Sequence, residues 1–179
     1  QRSLLRDIEN LQQTLGLPAE TLEAIIEALK SARRILVMGA GYGAFVAEAF
    51  AVALRDLGMW ADYVPAEAMS QAFALGQTGE EDLVIGVAAS PYAGEVAVAL
   101  ELAKDRGAKT IGVFGSYASP VARVADLKVF ASSNSGGPFT SMTAITAVLT
   151  ALLQILALSD TEAFEKLLSE FQRNYQMII

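Results

Sequence analysis

The sequence predicts an α/β fold, a three-layer α/β/α sandwich built around a five-stranded parallel sheet. Five short apolar runs, each about as long as a buried strand, alternate with segments whose apolar residues recur at helical spacing. Because parallel neighbours need crossover connections, this alternation places helices on both faces of the sheet. The 179 residues are enough for one domain with a substantial core and too few for two large ones.

The elements follow one another with clear start and stop signals. Two helices precede the first strand; Gly16 ends the first, and Leu17-Pro18 leads into the second. Gly58 and Gly107 end two later helices. Strands are predicted over residues 35–39, 59–64, 83–87, 109–114 and 127–131. Helices are predicted over residues 2–15, 19–32, a segment ending at Leu57, 66–76, 94–106, 141–158 and 160–175, and a short helix is predicted inside 116–126.

The composition excludes several classes of function. A net charge of −7 argues against nucleic-acid binding by these residues, because such binding needs clustered Lys and Arg. The absence of Cys excludes disulfides and Cys-ligated zinc and favours a cytoplasmic location. The absence of His excludes a Ser-His-Asp triad and His-ligated metals. We expect no cofactor, no metal and no membrane span.

The loop after the first strand carries closely spaced glycines. Gly39-Ala40-Gly41-Tyr42-Gly43-Ala44 fits the relaxed dinucleotide fingerprint between a strand and a helix. That fingerprint also needs an acidic residue at the end of the second strand; Asp62 lies inside that strand, and Glu67 follows Pro65. A dinucleotide is therefore disfavoured. A purely structural glycine turn remains an alternative.

The loop after the third strand, Ala88-Ala89-Ser90-Pro91-Tyr92-Ala93, runs directly into a helix. Ser90 and the amides of residues 92–96 could hold an anion at the helix start. Alternatively, Ser90 caps the helix, Pro91 fixes the backbone and Tyr92 packs as an aromatic plug. Because both loops lie at carboxyl ends of neighbouring strands, we favour a small anionic ligand.

Three further features have weaker claims on function. The polar run 132–137, which contains Ser133, could close over a site or be a solvated turn. Ser141 would by default cap the long helix, with ligand contact as the lesser role. Glu95, in the first turn of its helix, is a weak candidate for a catalytic base. The stripe of Ile145, Val148, Leu149, Leu152 and Ile155 belongs to the core or to a subunit interface.

Several stretches resemble a known family. They are DIENLQQTL at 7–15, ETLEAIIEALKSARRILVMGAG at 20–41, ELAKDRGAKTIGV at 101–113 and SPVARVAD at 119–126. Together they resemble the SIS (sugar isomerase) domain, specifically the effector half of RpiR-type bacterial transcription regulators. The resemblance implies a flavodoxin- or Rossmann-like sheet, with residues 1–32 as linker or dimerisation helices and residues 33–179 as the sugar-phosphate-binding unit.

The resemblance also implies where a ligand binds. A sugar phosphate would lie against the first loop and the third-strand loop, with no residue in a catalytic role. The family usually has serine where Gly43 stands and S-x-S-G-x-T where residues 88–93 stand, so Ser90 alone keeps its hydroxyl. The expected ligand-binding residues are Gly41, Tyr42, Gly43, Ala88, Ala89, Ser90, Tyr92, Ser133 and Ser141.

From these features we expect a sensor that binds a phosphorylated sugar or a related small anionic metabolite and does not turn it over. DNA would be contacted only through a helix-turn-helix domain ahead of this chain. We expect a homodimer or tetramer whose interface involves the N-terminal helices and helix 141–158. A phosphosugar isomerase of the same fold is the chief alternative, since Glu95 is the one carboxylate near either loop. A module that only dimerises is a third.

Overall fold

The structure, a computed structural model, describes residues 1–90 and 93–179. The described residues form five strands, which pair in the order β2-β1-β3-β4-β5 with every pairing parallel. The predicted fold class is therefore confirmed. The strands are β1 (Arg34–Gly39), β2 (Ala61–Val64), β3 (Asp82–Ala88), β4 (Lys109–Phe114) and β5 (Leu127–Phe130). The helices are α1 (Arg2–Thr14), α2 (Ala19–Ser31), α3 (Tyr42–Asp56), α4 (Ala68–Gly76), α5 (Gly94–Asp105), α6 (Val121–Val124), α7 (Thr143–Ser159) and α8 (Thr161–Ile178).

Two apolar clusters, one on each face of the sheet, form the core. One cluster unites α2, α3 and α7, and the other unites α5 and α6 with part of α4. Every residue of the central strand β3 is buried, as expected for a parallel strand covered on both faces. In α7, Ile145, Leu149 and Leu152 are buried in the core, whereas Val148 and Ile155 of the same stripe are partly exposed, and the predicted part of this helix in a subunit interface stays a prediction.

The chain order of the strands locates a switch point in the sheet. From β1 the chain moves outward to β2 on one side, and β3, β4 and β5 then fill the other side. The carboxyl ends of β1 and β3 therefore lie side by side where the direction of winding reverses. Open α/β sheets bind ligands at this position.

A polar cluster ties β5 to β4 at the opposite end of the sheet. Asp126 accepts hydrogen bonds from the backbone and hydroxyl of Thr110 at 3.0 and 2.8 Å, and Lys104 pairs with it at 2.7 Å. Partial burial acts to raise the pKa of Asp126, but the bonds from Lys104 and Thr110 outweigh it and hold the pKa below its ordinary value. The tie fixes the start of the edge strand β5.

The first and last helices lie on the outside of the sandwich. In α1 the one buried residue is Asn10, while Leu4, Ile8 and Leu11 are 69%, 52% and 36% exposed. In α8 no residue is buried. Among the described residues no single helix is both long and apolar enough to cross a membrane; α7 and α8 meet those criteria only when joined, and the chain bends by 101° between them.

Candidate functional site

Three glycines shape the turn between β1 and α3. Gly41 has a φ of +55°, a conformation that favours glycine. A Cβ on Gly39 would lie 2.5 Å from the carbonyl oxygen of Gly43, and one on Gly43 would lie 2.9 Å from that of Val87. Glycine at these positions lets α3 start almost in contact with the ends of β1 and β3. The glycine in place of the family's usual serine at position 43 thus has a packing reason.

The amides of this turn are only partly engaged. The N–H of Gly43 donates to the carbonyl oxygen of Ala40 at 2.9 Å, and that of Ala44 donates to Gly41 at 3.2 Å. The N–H groups of Gly41 and Tyr42 find no acceptor among the described residues. These two amides at the start of α3 can therefore receive an anion, whereas that of Gly43 is already satisfied.

The loop between β3 and α5 is anchored by its carbonyl groups. The carbonyl oxygen of Ala88 accepts from the amide of Gly115 at 3.0 Å, and that of Ala89 accepts from the hydroxyl of Ser133 at 2.7 Å. Ala88 is fully buried, and Ser90 is half-buried. Pro91 and Tyr92 lie outside the described residues, so the predicted contact from Tyr92 stays a prediction.

Two adjoining cavities open at this edge of the sheet. The smaller has a volume of about 220 Å³ and lies between the starts of α3 and α5, where Gly41, Tyr42, Ala89, Ser90 and Glu95 line it. The larger, of about 870 Å³, lies beyond the ends of β4 and β5. Ser90 and Thr140 line both cavities. The two spaces are therefore neighbours, and we refer to them as the two compartments of the candidate site.

The larger compartment combines hydroxyl groups with an aromatic wall. Tyr117 stacks on Phe130 with ring centroids 4.5 Å apart, and Tyr117 is 72% exposed. The polar side chains that line the compartment with this pair are Ser90, Ser116, Ser133, Asn134, Ser135 and Thr140. Hydroxyl groups beside an exposed ring suit a ligand with hydroxyl groups and an apolar face.

The site carries little charge of its own. Among the described residues that line either compartment, Glu95 alone is charged, and it is exposed in the first turn of α5. No Lys or Arg occurs in that set. Within residues 1–90 and 93–179 no three His, Cys, Asp or Glu side chains are grouped as metal ligands. An anion here would be held by backbone amides, hydroxyl groups and helix starts.

The structure brings together only part of the predicted site. Gly41, Tyr42, Ala89, Ser90 and Ser133 line the two compartments.

Three residues that we predicted to contact a ligand, Gly43, Ala88 and Ser141, do not line either compartment. Gly43 and Ala88 are buried behind the lining, and the hydroxyl of Ser141 donates to Asp7 of α1 at 2.5 Å. Ser141 precedes α7, which begins at Thr143, two residues later than predicted. For all the predicted residues, direct ligand contact stays a prediction.

Sequence reasoning missed Tyr117, Phe130 and Thr140. The loop after β4 and the end of β5 lie at the same carboxyl edge of the sheet as the two loops we considered. The rule that ligands of parallel sheets bind at the carboxyl ends of strands could therefore have included them. The stacking of Tyr117 on Phe130 depends on residues thirteen positions apart and carries no local signal.

Comparison with known proteins identifies the class to which this fold and site belong. A family model for the SIS domain matches residues 28–155. The sugar isomerase domain of an RpiR transcription factor from Sphaerobacter thermophilus superimposes with a TM-score of 0.90 at 32% identity, covering 96% of this chain and 97% of that one. The chain belongs to the SIS domain family, and the resemblance predicted from the sequence is confirmed.

Two further proteins resemble this chain. The Vibrio vulnificus NanR protein, solved in complex with ManNAc-6P, has the same fold with a TM-score of 0.83 at 22% identity, covering 99% of this chain and 68% of that one. An uncharacterized HTH-type transcriptional regulator of Haemophilus influenzae is 31% identical over 136 residues, which are 71% of this chain and 44% of that protein. The chain spans less than two thirds of the length of the curated relatives it matches.

Proposed function

We propose that this chain is the ligand-sensing domain of a transcription regulator and that it binds a phosphorylated sugar without converting it. The phosphate occupies the smaller compartment, near the amides of Gly41 and Tyr42 and the start of α5. The sugar extends past Ser90 and Thr140 toward the aromatic wall. A helix-turn-helix domain in the same regulator contacts the DNA.

The observation that carries this proposal is the near-complete match to a regulator's sugar isomerase domain, 32% identical over almost the full length of both chains. The match to an HTH-type regulator over 44% of its length supports the same arrangement, because the remainder of that protein leaves room for another domain. The two-compartment cavity at the switch point supplies a site of suitable chemistry.

The chemistry of the site favours binding over catalysis. Moving a proton between adjacent carbons of an aldose or ketose needs a positioned base, and opening a sugar ring is usually assisted by an acid. Glu95 is the one candidate base among the described lining residues. It is exposed, and no titratable residue of the described lining accompanies it except the phenols Tyr42 and Tyr117.

A thermal-shift screen tests binding. We would measure Tm with ManNAc-6P, glucose 6-phosphate, fructose 6-phosphate and inorganic phosphate at millimolar concentration. A ligand at 100 times its Kd stabilises the folded state by about 2.7 kcal/mol, which for a domain of this size raises Tm by about 5 to 10 °C. We expect such a shift with at least one sugar phosphate. If none shifts Tm, the dimerisation-only reading is favoured.

An isomerase assay on the same sugar phosphates separates the sensor from the enzyme. We expect no turnover above background. Glu95→Gln is compared with Glu101→Gln, an exposed glutamate on the same helix outside both compartments. Turnover that disappears in the first variant and survives in the second would establish an isomerase and contradict the sensor proposal.

A further inference from the structure

Helix α1 packs onto the domain with its polar side inward. Asn10, its one buried residue, is 0% exposed, whereas Leu4, Ile8 and Leu11 face outward. Burying an amide side chain is costly unless its groups are paired, so the packing of α1 depends on the partners of that side chain.

Those partners belong to the segment that follows β5. The Nδ2 of Asn10 donates to the carbonyl oxygen of Asn134 at 2.6 Å, and its Oδ1 accepts from the hydroxyl of Ser132 at 2.8 Å. One turn further along α1, the hydroxyl of Thr14 accepts from the backbone amide of Ser132 at 3.1 Å. Near the start of α1, Asp7 accepts from Ser141 at the other end of the same loop.

Between these contacts, the same segment reaches the site. Ser133 lines the larger compartment, and its hydroxyl donates to the carbonyl oxygen of Ala89 at 2.7 Å. Its backbone amide donates to Gly115 at 3.3 Å. A Cβ on Gly115 would overlap the Ser133 hydroxyl, so glycine there leaves room for this contact. Ser132 and Asn134 thus hold α1, while Ser133 between them holds the ends of β3 and β4.

We propose that the three residues Ser132–Asn134 are a coupling segment that links occupancy of the cavity to the docking of α1. The proposal rests on the proposed function, because it describes how ligand binding at that site is passed on. A ligand that contacts Ser133 or Asn134 changes the position of the segment. Since the Asn10 bonds depend on that position, the docking free energy of α1 changes with it, and by linkage the docking of α1 changes ligand affinity by the same factor.

Hydrogen exchange without any ligand tests the mechanical link. The exchange of residues 2–16 and 132–141 is measured by mass spectrometry in the 179-residue chain. Asn10→Ala should accelerate exchange in both segments by about tenfold, because it leaves the hydroxyl of Ser132 and the carbonyl oxygen of Asn134 without their bonds to α1. Gln13→Ala, an exposed substitution on the same helix, is the matched control and should change neither. Thr14→Val, which removes the bond from the Ser132 amide and the bond that the Thr14 hydroxyl donates to the Asn10 carbonyl oxygen within α1, provides a second variant should Asn10→Ala fail to fold.

The decisive variant perturbs the segment from the cavity side. Ser133→Ala removes the bond to Ala89 and should accelerate exchange in α1, although among the described residues the Ser133 side chain makes no hydrogen bond to that helix. If α1 exchanges at the wild-type rate in Ser133→Ala, the coupling is refuted whether or not a ligand is known.

A second arm adds ManNAc-6P or whichever sugar phosphate raises Tm. In the wild type, saturating ligand should change the exchange of α1 at least threefold; in Asn10→Ala, ligand should still raise Tm but leave the exchange of α1 unchanged. Ligand that alters residues 132–141 and leaves wild-type α1 unaffected would overturn the coupling while sparing the proposed function. If no sugar phosphate raises Tm, the proposed function fails and the Ser133→Ala result alone decides the coupling.

Discussion

At the residue scale, the glycines of the β1–α3 turn set how closely a helix approaches the sheet. Gly39 and Gly43 leave no space for a side chain, because in each case a carbonyl oxygen occupies the place of a Cβ. The spacing of the glycines was visible in the sequence. That Gly43 is buried against β3 instead of lining the cavity was not, because the fingerprint does not specify which atoms each glycine approaches.

Gly39→Ala should therefore destabilise the fold. The added methyl would lie 2.5 Å from the carbonyl oxygen of Gly43, and the backbone must shift to accept it. We expect a loss of about 1 to 3 kcal/mol in the free energy of unfolding, measured by urea denaturation. Gly76→Ala is the matched control, since nothing lies within 4 Å of its Cβ position. Equal stability of the two variants would contradict this account.

Asp126→Asn should destabilise the protein in a pH-dependent way. The pKa of Asp126 is lowered in the folded state, so its stabilising effect is present above the ordinary pKa of an aspartate and is lost as pH falls through the folded value. At pH 7 we expect the variant to lose about 1 to 2 kcal/mol relative to the wild type.

Urea denaturation of both proteins between pH 7 and pH 3 measures this difference. The difference in the free energy of unfolding should narrow as pH falls below the ordinary pKa of an aspartate, because the unfolded chain then takes up a proton before the folded one does. A difference that stays constant over this range would mean that the charge of Asp126 contributes nothing.

At the element scale, α1 differs most from what its sequence suggests. The periodicity of Leu4, Ile8 and Leu11 predicted a helix, and a helix forms. An amphipathic pattern defines an apolar face but not its neighbour, and here that face points away from the domain. The apolar residues are spaced four and then three apart, and Leu15 follows four further on, which is the spacing of a coiled-coil seam.

We therefore predict that α1 contributes to self-association of this chain. Ile8→Asp places a charge in the middle of the exposed stripe. We expect it to raise the Kd for self-association, measured by analytical ultracentrifugation, at least tenfold. Gln13→Asp, a charge at an exposed position on the far side of the helix from the stripe, should leave the association unchanged. An Ile8→Asp protein that associates like the wild type would exclude α1 from the interface.

The remaining elements were predictable to within a few residues because apolar runs and glycine stops are local signals. The clearest exception is β2, predicted from residue 59 but starting at Ala61. Met59 is apolar yet packs against the core from the turn after α3, and Trp60 is 62% exposed. Hydrophobicity alone does not distinguish such a turn from the start of a strand.

At the scale of the whole molecule, the electrostatic setting of the candidate site is unusual for the anion binding that we propose. The chain carries a net charge of −7, and the described lining of both compartments contains no Lys or Arg. The position of the site was predictable, since ligands of parallel sheets bind at the switch point. Its extension toward Tyr117 and Phe130 was not, because it arises from how the loops after β4 and β5 fold over the same edge.

This setting predicts an atypical response to salt. Where cations hold a phosphate, added salt weakens binding, but here the net field of the protein repels the anion and salt screens that repulsion. By calorimetry, the Kd for a sugar phosphate should stay constant or decrease between about 20 and 300 mM NaCl. The same titration with inorganic phosphate is the control for ion competition. A Kd that rises severalfold would instead point to a cationic contact in the site.

The shortness of the two outermost strands has a consequence for solubility. β2 and β5 have four residues each, against six or seven in the strands between them, and each carries a charged side chain, Asp62 or Lys128. The free edge of a sheet is a template on which another chain can add a strand, and a short, charged edge offers few hydrogen bonds to an incoming one. The two free edges of this sheet are thereby protected from pairing with a strand of another chain.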